Sequence, residues 1–197
     1  MQTVGGHASR PGDFKYKDLN NDGLVNEKDM APIGYTNLPE YTYGAAFSIT
    51  YQDLDVSFLF QGVSNVGRYL NGSGIWSGAG FTNYSAWHLD SWSEEKASNG
   101  ETIRYPRLTT QVSPNEVVND FFYVNASYVR LRNVEIGYTF PLNWVKSVGL
   151  RKARVYANGQ NLYTWDRLPY KGVDPEQLSS YAYPIQRVFN FGLNVTF

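Results

Sequence analysis

Residues 18–29, with the sequence DLNNDGLVNEKD, carry oxygen-bearing side chains at the spacing of a calcium-binding loop. That twelve-residue pattern has Asp or Asn at positions 1, 3 and 5, glycine at position 6 and a carboxylate at position 12. Calcium takes six to eight oxygen ligands, and the glycine allows the sharp turn between them. The predicted ligands are Asp18, Asn20, Asp22, the Leu24 backbone carbonyl, Asn26 and Asp29.

Two observations limit the interpretation of this loop. Asp29 is shorter than the Glu that usually fills position 12, and plain turns are also rich in Asn, Asp and Gly. The flanking segments lack apolar residues at helical spacing, which argues against a calcium sensor built from paired helices. The prediction is a calcium ion that orders a surface loop, and the alternative is a metal-free turn.

The segment WHLDSW contains His88, Asp90 and Ser91, three residue types that occur in catalytic triads. They lie within four residues of each other, whereas triad members normally come from separate parts of a fold. The adjacent Glu94 and Glu95 are typical of a solvated loop edge, and no glycine-rich phosphate loop is present. No enzymatic activity is predicted.

The composition of the 197-residue chain excludes several classes of protein. It has no cysteine, which rules out disulfides and cysteine-based zinc sites, and its net charge of −1 gives no reason to expect nucleic acid as a partner. No apolar run is long enough for a transmembrane helix, and no signal peptide is predicted, so we expect the chain to begin within a longer protein. Aromatic residues make up 16% of the chain, which favours strands.

Five segments alternate apolar and polar residues with the period of a β-strand. The predicted strands cover 41–51, 54–62, 127–140, 153–165 and 186–197, preceded by a loop over 1–40. Upstream of Val134 the apolar residues change parity, which predicts a bulge near Arg132 and Asn133.

The connections between these strands differ greatly in length. Only Gln52 and Asp53 join the first two strands, about a dozen residues join the third and fourth, and the loops 63–126 and 166–185 are long. Short turns at one end and long loops at the other are typical of outer-membrane barrels. Aromatic residues lie at the strand ends, where a barrel meets the membrane interface: Tyr41, Tyr43, Tyr51, Tyr138, Phe140, Tyr163 and Trp165.

The predicted fold class is therefore all-β: an antiparallel up-and-down meander that forms the C-terminal segment of a transmembrane β-barrel with long extracellular loops. Its apolar face would contact outer-membrane lipid. The alternative is a soluble extracellular β-sandwich, stabilised by calcium and binding carbohydrate, which would bury the same face against a second sheet. A third possibility is an adhesion module whose binding depends on calcium.

Several motifs occur in an order known from one family. The segments GDFKYKDLNNDGLVNEKD, SYVRLRNVEIGYTFP, RVYANGQNLYTW, GVDPE and NFGLNVTF resemble the C-terminal region of SusC-like (SusC/RagA) TonB-dependent outer-membrane transporters. The resemblance implies a 22-stranded barrel filled by an N-terminal plug, in the outer membrane of a Gram-negative cell. It also implies a SusD-like surface lipoprotein partner, energy from TonB through an N-terminal region outside this chain, and import of oligosaccharides or peptides.

The C-terminal strand ends on an aromatic residue, which resembles the signal read by the barrel-assembly machinery. The predicted signal residues are Phe191, Leu193, Val195 and Phe197. With Phe197 at the periplasmic rim, the calcium-like loop is expected outside the cell.

Aromatic side chains in the long loops suit sugar rings and protein interfaces, although they could instead pack the loops' own core. The residues predicted to contact substrate or partner are Trp76, Phe81, Tyr84, Trp87, Trp92 and Tyr170, with Asp174 and Glu176 as weaker candidates.

Overall fold

The computed structural model describes residues 1–71, 75–76, 84–170, 173–177, 183 and 185–197. The chain divides into two compact units. The described residues of the first unit lie within Met1–Gly34 and Arg68–Val124. Those of the second lie within Tyr35–Gly67, Asn125–Gln177 and Tyr183–Phe197.

Strands dominate the described part of the chain. In order they are β1 (Thr3–Val4), β2 (His7–Ala8), β3 (Tyr41–Tyr51), β4 (Leu54–Ser64), β5 (Gly67–Tyr69), β6 (Tyr123–Asn125), β7 (Tyr128–Thr139), β8 (Lys152–Asp166) and β9 (Val188–Thr196). The helical elements are α1 (Glu94–Ser98), α2 (Leu142–Lys146) and short 3-10 turns at Glu27–Asp29, Ala86–Asp90 and Pro114–Glu116. No helix among the described residues has the length and apolar character needed to cross a membrane.

The second unit is built on one five-stranded sheet with the order β3-β4-β7-β8-β9. Every neighbouring pair is antiparallel, so consecutive long strands lie side by side and the predicted antiparallel meander is confirmed. The observed strand ends differ from the predicted ones by no more than two residues. The largest extension is in β4, which continues to Ser64 because that residue still pairs with Tyr41 on β3.

A bulge interrupts the pairing of β7. Leu59 of β4 faces Asn133, and the next residue, Phe60, faces Leu131, so Arg132 has no partner on β4. On the other side of β7 the same position is a register shift against β8. Because side chains alternate, one extra residue exchanges the two faces of a strand. The predicted bulge is therefore confirmed, and it returns the apolar residues upstream of Arg132 to the face that holds Val134.

The register places most apolar side chains on one face of the sheet and all paired charged side chains on the other. One row on the first face consists of Ile49, Val56, Ile136, Ala157 and Phe191. The adjacent row on the opposite face consists of Ser48, Ser57, Glu135, Asn158 and Asn190. The apolar face is open to its surroundings, since Phe47 is 55% and Phe191 83% exposed. Such a continuous exposed apolar surface indicates contact with an apolar partner.

The first unit has its own small core of aromatic rings. Phe122 is fully buried and packs edge-on against Phe121 with 5.1 Å between ring centroids, and Phe14 lies 4.8 Å from Phe121. The N-terminal segment is fixed by an ion pair, because the Arg107 guanidinium donates to the buried Asp13 carboxylate at 2.6 Å. Residues 1–34, part of the predicted loop 1–40, therefore fold together with the described residues within 68–124.

One arginine joins three strands on the polar face of the sheet. Arg154 of β8 donates to both carboxylate oxygens of Asp55 on β4 and, at 2.8 Å, to Glu135 on β7. Gly137 makes room for it, since a Cβ there would meet the guanidinium. The pair of carboxylates would repel each other without the cation between them.

We expect Arg154→Met to lower the free energy of unfolding in detergent micelles by about 1 kcal/mol, a modest value because the three side chains are partly solvated. The matched control is Lys152→Met, which removes a positive charge from the same strand and the same face. Lys152 makes no ion pair with the described residues, so its loss should change stability by much less. Equal effects of the two substitutions in urea titrations would contradict the three-strand ion pair.

Candidate functional site

The loop over residues 18–29 is folded by its own side chains. The Gly23 N–H donates to Asp18 Oδ2 at 2.8 Å, and the Asp22 N–H donates to Asn20 Oδ1 at the same distance. The Leu24 N–H donates to Asp22 Oδ1 at 2.9 Å. Gly23 has a φ of 82°, the left-handed conformation that glycine adopts without strain. The side chains that were predicted as ligands therefore shape the turn.

Asp29 closes the loop from its C-terminal end. Its Oδ1 accepts the Leu19 N–H at 2.8 Å and the Asn20 N–H at 3.4 Å, and its Oδ2 accepts the Asn26 N–H at 2.8 Å. These backbone donors, the Asn26 N–H above all, hold the pKa of Asp29 below its usual value. Asn26 in turn caps the 3-10 turn by accepting the Lys28 N–H at 2.9 Å. The loop thus keeps an ionised carboxylate at the predicted twelfth position.

One oxygen of the loop is left without a partner. Asp18 Oδ1 is buried and accepts no hydrogen bond from the described part of the chain. The predicted ligands of this loop are all carboxylate, amide and carbonyl oxygens, the type that a hard cation such as calcium prefers. Among the described residues no three His, Cys, Asp or Glu side chains converge as a metal site, so an ion would also need the amide and backbone oxygens.

Three of the aromatic residues predicted to contact substrate or partner lie around His88. The His88 ring is 5.5 Å from Tyr84 and 6.0 Å from Trp87, centroid to centroid. Its Nδ1 accepts the Ser85 N–H at 2.9 Å, which leaves Nε2 to donate to the Trp76 carbonyl at 3.1 Å. Trp76 and Trp87 are only partly exposed, whereas Tyr84 is 54% exposed and presents its ring to the surroundings.

The remaining predicted contact residues differ in their surroundings. Trp92 packs against Gly12, where a Cβ would meet the indole ring, and is only partly exposed. Tyr170 belongs to the second unit and is buried, which raises its pKa to about 12. Phe81 lies outside the described residues. Tyr84 is therefore the most accessible of the predicted contact residues that the structure describes.

The arrangement around His88 gives no catalytic centre. Both ring nitrogens are occupied by backbone groups, so neither is available to take a proton from Ser91. The Ser91 hydroxyl is buried, and its backbone N–H completes the 3-10 turn by donating to the His88 carbonyl. Ser85, His88 and Ser91 therefore stabilise the 3-10 turn at Ala86–Asp90.

The charge cluster around Arg130 was not predicted from the sequence. Arg130 lies on the polar face of β7, is 1% exposed and donates to both oxygens of Asp174 at 2.8 Å. It also donates to Glu176 at 2.8 Å and to the Thr164 hydroxyl at 2.9 Å. The Tyr128 hydroxyl donates to Glu176 as well. Asp174 and Glu176 were the weaker candidates for contact with substrate or partner, and in the structure they hold their own loop segment on the sheet.

The residues of the predicted assembly signal share the apolar face at the last strand. Phe191, Leu193 and Val195 pair with Ala157, Val155 and Ala153 of β8, and they are 83%, 60% and 41% exposed. Phe197 follows directly after β9 and is 80% exposed. They form one accessible apolar row along the edge of the sheet.

Comparison with known proteins relates the chain to one group of receptors. It is 30% identical over 207 residues to TonB-dependent receptor P3 of Formosa agariphila, covering 96% of this chain and 19% of the receptor. It is 27% identical over 216 residues to TonB-dependent receptor SusC of Bacteroides thetaiotaomicron, covering 100% of this chain and 19% of SusC. The chain thus spans about a fifth of the length of the curated relatives it matches. No family model matches it.

Solved structures share the fold. The RagAB peptide importer in the "closed-closed" state matches with a TM-score of 0.68 and 23% identity, covering 88% of this chain and 19% of the matched chain. The RagAB peptide transporter matches with a TM-score of 0.65 and 26% identity, covering 83% and 18%. TonB-dependent receptors are outer-membrane transporters of Gram-negative bacteria and not enzymes, in agreement with the prediction. Over nearly its whole length, the chain is therefore homologous to a segment, about a fifth, of the TonB-dependent receptors of the SusC/RagA type.

Proposed function

We propose that the second unit is part of the wall of an outer-membrane β-barrel in a TonB-dependent importer. The observation that carries this proposal is the exposed apolar face of the sheet. In the five described strands, every charged residue that pairs with a neighbouring strand lies on the opposite face: Asp55, Arg130, Glu135, Lys152, Arg154 and Asp166. Charges in a membrane protein avoid lipid and line the interior.

The height of the apolar face fits a bilayer. Tyr43 and Tyr51 lie on this face of β3, eight residues apart, which is about 26 Å at ~3.3 Å per residue. Apolar bands of outer-membrane barrels are about 25 Å high and are bordered by aromatic girdles. Trp165 lies near the level of Tyr43, and Tyr138 is in the same row as Tyr51. Both borders of the band are therefore aromatic.

The exposed face also distinguishes the barrel from the soluble sandwich. A sandwich buries one face of each sheet against the other sheet. Here Phe47, Ile49 and Phe191, three residues that a sandwich would bury, are each more than half exposed. The barrel proposal accounts for this exposure, because lipid would cover these side chains.

By the same proposal, the importer works with a SusD-like surface lipoprotein and takes up oligosaccharides or peptides, using energy delivered by TonB. The structural similarity to the RagAB peptide importer supports a partner and a peptide cargo. Among the predicted contact residues of the first unit that the structure describes, Tyr84 has the most exposed side chain and is the best candidate to touch cargo or partner. Phe191, Leu193, Val195 and Phe197 would serve as the signal for barrel assembly.

We also propose that calcium orders the loop over residues 18–29. The free Asp18 Oδ1 atom and the ionised Asp29 support this, together with Asn20, Asp22, Asn26 and the Leu24 carbonyl as further oxygen donors. The ion would supply positive charge in a loop that carries the three carboxylates Asp18, Asp22 and Asp29.

A charged residue in the middle of the apolar face should weaken folding into a membrane. Phe47 lies midway between Tyr43 and Tyr51, so we expect Phe47→Lys to cost about 2–4 kcal/mol of folding free energy in phospholipid vesicles. Ser48→Lys is the matched control, because Ser48 is at almost the same depth on the polar face. Denaturant titration of the vesicle-folded protein measures both. A cost for Ser48→Lys as large as that for Phe47→Lys would refute the lipid-facing assignment.

Calcium binding should depend on the free oxygen of Asp18. Asp18→Asn keeps an acceptor for the Gly23 N–H but replaces the partner oxygen with an NH2 group. We expect a dissociation constant of about 10⁻⁴–10⁻³ M for the parent chain in calorimetric titration, and binding at least about tenfold weaker for the variant. Asp53→Asn, in the exposed turn between β3 and β4, should bind as the parent does. Equal affinity of the parent and Asp18→Asn would refute the site.

A further inference from the structure

The connection between β7 and β8 exposes apolar and basic side chains next to each other. Leu142, Trp144 and Val148 are 49%, 65% and 71% exposed. Lys146 and Arg151 are exposed in the same short stretch. Single exposed hydrophobic residues are common on proteins, but three large ones within seven residues form a patch that requires an explanation.

This patch is held rigidly. α2 begins after Pro141 and lies against β8, with Val145 as its buried residue. The helix ends where the Leu150 N–H donates to the Val145 carbonyl at 3.0 Å and the Gly149 N–H donates to the Lys146 carbonyl at 3.1 Å. Those two bonds form a Schellman cap, which requires the left-handed conformation of Gly149, φ 80°. The exposed side chains are therefore presented by a defined turn.

The patch continues the apolar face at one rim. Tyr138 lies on the apolar face near the end of β7, and Phe140, just after the strand, packs edge-on against it with 5.5 Å between ring centroids. Ala153, the first β8 residue on this face, pairs with Val195 and is only 6% exposed. Trp144 thus follows directly on the aromatic border of the sheet.

The charge of the connection is strongly positive. Residues 141–152, PLNWVKSVGLRK, contain three basic residues and no acidic one. Lys146, Arg151 and Lys152 make no ion pair within the part of the chain that the structure describes. An exposed tryptophan beside unpaired basic side chains is the composition of segments that lie in a membrane interface, where the ring sits among headgroups and the charges meet phosphate.

We propose that the β7–β8 connection is an interfacial anchor that binds anionic phospholipid headgroups. Leu142, Trp144 and Val148 enter the outer part of the hydrocarbon layer, while Lys146 and Arg151 contact the phosphates. The anchor fixes the depth of the sheet in the bilayer at the rim formed by Tyr51 and Tyr138. This inference rests on the proposed lipid contact of the apolar face.

The first test measures depth by fluorescence quenching. The chain is folded into vesicles that contain phospholipid with a nitroxide on the acyl chain close to the headgroup. The signal of one tryptophan is the difference between the parent and its Trp→Phe variant. We expect strong quenching of Trp144, from Trp144→Phe, and of Trp165, from Trp165→Phe, because Trp165 is 49% exposed on the apolar face near the opposite border.

The second test measures headgroup selectivity. Quenching of Trp144 is compared for nitroxide lipids with phosphatidylglycerol and phosphatidylcholine headgroups. We expect quenching to be stronger with phosphatidylglycerol. This preference should fall by about fivefold for each of Lys146 and Arg151 that is changed to Gln. The control changes two exposed lysines of the first unit, Lys15 and Lys17, to Gln and should leave the preference unchanged.

The outcomes separate this inference from the proposed function. Quenching of Trp165 without quenching of Trp144, or quenching of Trp144 with no headgroup preference, would overturn the anchor and leave the barrel wall standing. Absence of quenching at both tryptophans would overturn the proposed membrane placement and the anchor with it.

Discussion

The period of two along a β-strand forces each one-residue shift in pairing to exchange the faces of the sheet. This constraint governs the second unit, because its two faces have opposite chemistry. Without the extra residue at Arg132, Val129 and Leu131 would join the polar face and Arg130 would turn to the apolar one. The bulge keeps the apolar side chains of β7 on the same face as those of the other four strands, and it leaves one residue of β7 unpaired.

The ion pairs depend on that separation of faces. Arg154 can join β4, β7 and β8 only because Asp55 and Glu135 lie on its own side of the sheet. Arg130 is nearly inaccessible and would be very costly to bury without Asp174 and Glu176. The same separation leaves the other face free of paired charges, so that it can contact lipid over its full height.

Local pattern predicted the strands well, because alternation and the parity change before Val134 are properties of neighbouring residues. The sequence could not predict that Arg130 would bind Asp174, which lies 44 positions away, or that Arg107 would reach Asp13 across 94 positions. The sequence did contain one signal for the Arg130 pair, because Arg130 stands between the aliphatic residues Val129 and Leu131 of a strand. The sequence also could not predict the role of His88. Both of its ring nitrogens bind backbone groups, so the residue stabilises a turn.

The most direct test of the proposal that one face of the sheet contacts the membrane is the accessibility of each residue along β4. The chain has no cysteine, so single cysteines at 55–60 can each carry a nitroxide without interference. Electron paramagnetic resonance in vesicles then compares relaxation by oxygen, which concentrates in lipid, with relaxation by a water-soluble nickel complex. The account predicts oxygen maxima at Val56, Phe58 and Phe60 and nickel maxima at Asp55, Ser57 and Leu59. Accessibility without a period of two, or with these maxima exchanged, would contradict it.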